Sequence, residues 1–157
     1  MRPSIFVDTR RDYTLYVSGP IVAVVWRGEL TDAAVSHVER VLARTAEDSR
    51  EAISFVTIAS FRAPIPRPEI RTRIVDCYRA LGPRLRAVAQ VVEGEGFWAA
   101  AARCVMAGIG LLSRGEHRMS VFGTPRDALA WLGGQRGVAE LAAAMAQDRF
   151  TVKALAS

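Results

Sequence analysis

Residues 91 to 114 read VVEGEGFWAAAARCVMAGIGLLSR, and this stretch constrains the fold more than any other. It begins as the end of an apolar strand, turns at Gly94 and Gly96, and continues as a helix with almost no polar side. A helix apolar nearly all round has to be covered nearly all round. On a helical wheel Phe97, Ala101, Cys104, Gly108 and Leu111 form one side, and Trp98, Val105, Ile109 and Leu112 a second. A strip with Ala99, Arg103, Gly110 and Arg114 is left for water. A sheet can cover one side; the other is expected to meet a further helix from Val138 to Met145, or a second subunit.

The rest of the chain supplies that sheet. Tyr13 to Ser18 alternates as a half-buried strand, Gly19-Pro20 turns, and Ile21 to Trp26 is a continuous apolar run, as in a strand covered on both faces. Thr31 is a good N-cap with Asp32 in the first turn, and Val35, Val38, Val41 and Leu42 share one face of the helix that follows. Ile53 to Ile58 is a third strand; Pro64, Pro66 and Pro68 then exclude regular structure until Pro68 opens a helix to about Leu81. Ile70, Ile74, Cys77, Tyr78 and Leu81 are its inward face, and Gly82-Pro83 stops it. Ala87 to Val92 and Arg118 to Phe122 complete the strands, and Thr124-Pro125 starts a helix that buries Leu129, Trp131 and Leu132. Alternation of this kind predicts an α/β domain with parallel strand pairs and right-handed crossovers.

Charge is distributed unevenly. Between Ser60 and Arg86 stand Arg62, Arg67, Arg71, Arg73, Arg79, Arg84 and Arg86 against Glu69 and Asp76, which accounts for the chain's whole excess of +5. Arg73 and Arg79 are expected to point outward. Guanidinium groups favour planar carboxylate and phosphate partners, and a loop held on a rigid scaffold is a common place for recognition. The patch offers no lysine and, apart from Phe61, little exposed aromatic surface for base stacking, which favours a protein partner over nucleic acid.

The order of elements, the apolar second strand running into Arg27-Gly28-Glu29-Leu30-Thr31, and the closing Asp127-Ala128-Leu129-Ala130-Trp131-Leu132 together resemble the STAS domain of bacterial anti-sigma-factor antagonists and sulfate transporter tails. The resemblance spans roughly Tyr13 to Leu132. It implies a mixed sheet of about five strands with helices packed on it, as a STAS-like domain over residues 1–134. Residues 135–157 are then a C-terminal helical extension lying on the domain or on a partner. In phospho-switching members the turn after the third strand carries an Asp-Ser pair, and a partner kinase phosphorylates the serine. Here Ser60 falls at the matching place, with Ala59 where the acid stands. The resemblance therefore implies a protein-binding signalling module. Ser60 is its candidate phosphorylation site, and a nucleotide-dependent regulator, a serine kinase or small GTPase, its partner class.

No string in the chain matches a P-loop or nucleophile elbow, and the glycine turn at Gly94-Glu95-Gly96 lacks a full dinucleotide fingerprint and carries repelling carboxylates. His37 and His117 have no carboxylate or cysteine at ligand spacing and read as surface residues. Cys77 and Cys104 lie within apolar helical patterns and read as buried, reduced thiols. No signal peptide or membrane span is expected, because the N-terminal dozen lacks an apolar core and Arg103 interrupts the long helix. The expectation is thus a cytoplasmic, non-enzymatic bacterial protein with no cofactor and no metal. Its partner-binding residues are Ser60, Phe61, Arg62, Arg67, Arg71 and Arg73. The alternative is a homo-oligomer, with a homodimer formed through apolar helix surface.

Overall fold

The computed structural model describes residues 5–60, 63–113, 115 and 117–156, with side chains to residue 147. In chain order the elements are β1 (Ile5–Thr9), β2 (Tyr13–Ser18), β3 (Ile21–Trp26), α1 (Asp32–Asp48), β4 (Ile53–Ala59), α2 (Pro68–Leu81), a 3-10 turn at Gly82–Arg84, β5 (Leu85–Val92), α3 (Phe97–Leu112), β6 (Arg118–Phe122), α4 (Pro125–Leu132) and α5 (Val138–Ala156). The strands form one six-stranded sheet in sequence order, β1-β2-β3-β4-β5-β6. The first two pairings are antiparallel and the remaining three parallel.

The α/β class is as expected, with one strand more. β1 is an edge strand whose Phe6 and Val7 remain exposed. It is held by backbone pairing to β2 and not by core burial, so its side chains leave no alternating signature in the sequence. The local stop and start signals act as read. Thr31 Oγ1 accepts from the Ala34 amide, Thr124 Oγ1 from the Asp127 amide, and Pro68 occupies the first turn of α2.

Each parallel crossover steps to the same side, so α1, α2 and α3 share one face of the sheet. Their buried residues join Val22, Val24, Phe55, Val88 and Val92 in one core cluster. The opposite face, with Tyr16, Ile21, Ala23, Val56, Ile58, Ala89 and Val91, is closed by Ala128 and Leu132 of α4 and Leu141 and Met145 of α5. The expectation that the C-terminal helix covers α3 is therefore corrected: the two lie on opposite faces.

The orientation of α3 is corrected as well. Ala99, Ala102, Met106 and Ile109 are the residues turned to the sheet, whereas Phe97, Ala100, Cys104, Ala107, Leu111 and Leu112 are exposed. Nearly uniform apolarity leaves the rotation of a helix undetermined by hydrophobicity alone. Close approach decides it here. Ala99 and Ala102 let the helix settle against the strands, and a Cβ added at Gly110 would stand 2.8 Å from Met119 Sδ.

The start of α5 is fixed by a tight contact with the β2–β3 turn. Ser18 Oγ donates to the Gly137 carbonyl at 2.9 Å, and nearby Ser54 Oγ donates to Gln135 Oε1 at 2.6 Å within the core. Gly137 has φ +96°, and a Cβ there would collide with the Ser18 carbonyl. Gly137→Ala should therefore lower unfolding free energy by about 2 kcal/mol or more. Gly134→Ala, whose Cβ meets nothing within 4 Å, should be close to neutral. Urea denaturation of the two variants checks the contrast.

Candidate functional site

The carboxyl ends of the parallel strands bring three loops together. Trp26, Ala59 and Val92 stand in register across β3, β4 and β5, so the loops that follow them emerge side by side. Loops held on a rigid sheet in this way are common places for recognition. The ladder continues one residue further on each side: the Ser60 amide donates to the Trp26 carbonyl and the Glu93 amide to the Ala59 carbonyl. Ser60 is thereby held half-buried beside the end of β3.

Beyond it, Phe61 and Arg62 lie outside the described residues. The Ala63 amide closes a turn on the Ser60 carbonyl at 2.9 Å. Ala63 and Pro66 are buried and Ile65 half-buried, while Pro64, Arg67, Pro68 and Glu69 are exposed. Alternate burial seals the loop to the core and turns its polar members outward. Arg67 Nε lies 4.0 Å from Glu29, both side chains more than half exposed, a pairing that screening leaves with little stabilising effect.

The motif that precedes α1 is structural. Arg27 Nη1 donates to Thr14 Oγ1 at 2.7 Å and Nη2 to the Arg10 carbonyl. The Arg27 and Gly28 amides both donate to the Asp12 carbonyl. A side chain at position 28 would strike Asp12. Arg27-Gly28 thus locks the β1–β2 turn beneath the start of α1, and burial of the guanidinium lowers its pKa from the ordinary arginine value.

The arginines of α2 divide into different roles. Arg73, expected to point outward, reaches α1: Nε is 3.1 Å from Glu39 Oε1, Nη1 is 3.3 Å from Asp32 Oδ1, and Nη2 donates to Ser36 Oγ at 2.6 Å. The Glu39 bond raises its pKa further. Arg79 is exposed and donates to the Leu112 carbonyl at the end of α3. Arg71 is half-buried on a groove between α2 and α3, and its Nε is shielded from water with no hydrogen-bond acceptor among the described residues.

Beneath the loop lies an apolar cleft between the sheet and the crossover helices, walled by Trp26, Leu30, Pro66, Phe55, Tyr78 and Met106 with Thr57 and Gln90 below. Its free space is about 50 Å³, enough for a few water molecules and far short of a cofactor site. Thr57 and Gln90 are satisfied internally, by the Trp26 indole donating at 3.1 Å and by Gln90 Nε2 donating to the Met106 carbonyl at 3.1 Å. Among the described residues no group of three His, Cys, Asp or Glu side chains is placed to hold a metal ion.

The histidines are not the free surface residues expected. His37 Nδ1 is 2.7 Å from the Tyr13 hydroxyl, and Asp8 Oδ2 lies 3.6 Å from Nε2. That favours a proton on Nε2 and leaves Nδ1 to accept from the tyrosine. Asp8 also binds Arg10, whose hydrogen bond holds its carboxyl below the usual range. Tyr13 is buried against Trp26, ring centroids 5.2 Å apart, and burial raises its pKa. With its hydroxyl occupied and its ring enclosed, the set works as a strut from the edge strands to α1. His117 packs edge-on against Tyr78, and burial lowers its pKa. These partners lie too far apart in sequence for spacing to reveal them.

Comparison with known proteins places the fold. A crystal structure of an uncharacterized protein of the DUF3478 family from Shewanella loihica PV-4, described as having a SpoIIAA-like fold, is similar over 82% of this chain and 92% of its own, with 15% identity and a TM-score of 0.52. The chain has a SpoIIAA-like, that is STAS-like, fold. No family model matches the sequence, and no curated protein does. No helix among the described residues is long and apolar enough to cross a membrane.

Two measurements check the site chemistry. Replacing His37 with Ala leaves the buried Tyr13 hydroxyl without its partner, and should cost about 1–2 kcal/mol in urea unfolding. The thiols should separate by pH. Cys104 is exposed and Cys77 half-buried, and burial disfavours the Cys77 thiolate, pushing its pKa up to about 11. Since the thiolate is the reactive form, a disulfide reagent at pH 8 should modify Cys104 and spare Cys77. In Cys104→Ser protein the remaining reaction should accelerate only as pH climbs toward 11.

Proposed function

We propose that the chain is a non-catalytic protein-interaction module of bacterial signalling, whose docking surface is the Ser60–Arg67 loop and the first turns of α2. The observation that carries this reading is the shielded Nε of Arg71, a cationic donor without an acceptor among the described residues, set one turn into α2 from exposed Arg67. A buried unsatisfied donor costs free energy. A carboxylate entering from a partner relieves that cost and gains a charge-assisted bond. The acidic surface of a nucleotide-dependent regulator, of serine-kinase or small-GTPase type, fits this chemistry and agrees with the STAS-like fold. Ser60, tethered by its backbone at the rim of the same surface, is the residue such a kinase would modify. Arg73 contributes indirectly, by fixing α2 on α1.

The test is binding of the intact protein, immobilised, to extract proteins with and without ATP or GTP. Charge reversal at Arg67 and Arg71 together should weaken capture of a nucleotide-dependent partner by about tenfold or more. The circular dichroism melt should be little changed, because Arg67 is exposed and Arg71 makes no bond that the fold needs. Equal capture by both proteins sinks the reading.

A further inference from the structure

The outer face of α3 carries a second, independent surface. Its exposed residues are Phe97, Ala100, Cys104, Ala107 and Leu111, spaced three, four, three and four. That is the heptad spacing of a helix seam that meets another helix. Phe97 is 91% exposed and Leu111 65%, and exposed apolar residues aligned along one face are more informative than scattered ones. Large side chains stand at the two ends, and alanine, cysteine and alanine stand between them. Gly108 beside them opens onto free space. The centre can therefore admit another backbone closely.

We infer that this seam pairs with the same seam of a second copy, antiparallel, about a two-fold axis at Cys104. Phe97 and Leu111 each stand seven residues from Cys104, so about that axis Phe97 of one copy meets Leu111 of the other, Cys104 meets Cys104, and Ala100 lies level with Gly108. Charge supports the same orientation. Glu95 is exposed just before the helix and Arg79 is exposed at its far end, bonded to the Leu112 carbonyl. Antiparallel pairing sets Glu95 of each copy beside Arg79 of the other, twice. Parallel pairing would set like charges together and align the helix dipoles unfavourably. Such a contact is isologous and closed. A single helix pair lies at the low end of stable interface sizes, so the dimer is expected in the micromolar range.

Sedimentation velocity on the full chain, from roughly 1 to 500 µM, reads the equilibrium directly. Wild type should pass from monomer to dimer across that range. Phe97→Glu combined with Leu111→Glu should stay monomeric with an unchanged melting temperature, since both side chains are exposed in the monomer. Glu95→Arg and Arg79→Glu should each weaken the dimer severalfold, and the two together should restore it. A short bis-maleimide should join Cys104 to Cys104 in the dimer and give no product with Cys104→Ser. A wild type that stays monomeric throughout overturns the inference, as does a dimer that survives the double glutamate variant. The antiparallel arrangement is likewise overturned if the charge swap fails to restore association or if dimeric protein gives no Cys104 cross-link.

Discussion

Burial of the central strands on both faces is the constraint from which the rest of this structure follows. β3, β4 and β5 carry apolar side chains to both sides of the sheet, so neither face can be left to water. Because strand order follows sequence order and parallel crossovers keep one hand, the three crossover helices all fall on the same side. The other side is left bare until the chain has finished its last strand. α4 and α5 meet that need. The C-terminal helix is thus an integral layer, tied down by the Ser18–Gly137 and Ser54–Gln135 bonds, though it follows a glycine break that looks like the end of a domain.

One-handed winding also fixes what stays uncovered. In the helical layer α2 lies between its neighbours, touching α1 on one side and α3 on the other. α3 is the last member of the row and has a neighbour on one flank only. Its outer face meets no other element among the described residues, since α5 is on the far side of the sheet. The same winding gathers the loops after β3, β4 and β5 at one edge, where the proline loop is sealed by Ala63 and Pro66.

How much of this was legible in the sequence depended on the range of the interaction responsible. Caps and breaks act within a few residues, and Thr31, Pro68, Thr124 and Gly82 are found where their chemistry puts them. The buried strands were legible because apolar runs of β-branched residues admit little else. β1 was not, because an edge strand held by main-chain bonds does not need apolar alternation. The rotation of α3 was hidden by its composition: with apolar groups on every side, the choice fell to how closely alanine and glycine let the backbone approach the sheet. Arg73 was read as an outward cation because Asp32, Ser36 and Glu39 belong to a helix more than thirty residues earlier. His37 escaped for the same reason, with Asp8 and Tyr13 on strands that precede it.

The arginine segment shows how composition and function come apart. Seven arginines in one stretch suggest one patch, yet the fold distributes those described along α2 among three tasks. Arg73 joins α2 to α1 through paired carboxylates. Arg79 caps the carboxyl end of α3, where a cation opposes the helix dipole. Of these three, Arg71 keeps a shielded donor without an acceptor among the described residues, as Arg103 Nε does in α3. A guanidinium whose donors the fold engages on several sides, as Arg73's are, gains little from a partner, because new bonds replace old ones. One left unsatisfied gains the whole difference. In the proposed docking surface the capacity to bind therefore rests on Arg71, and net charge is a poor guide to which arginine that is.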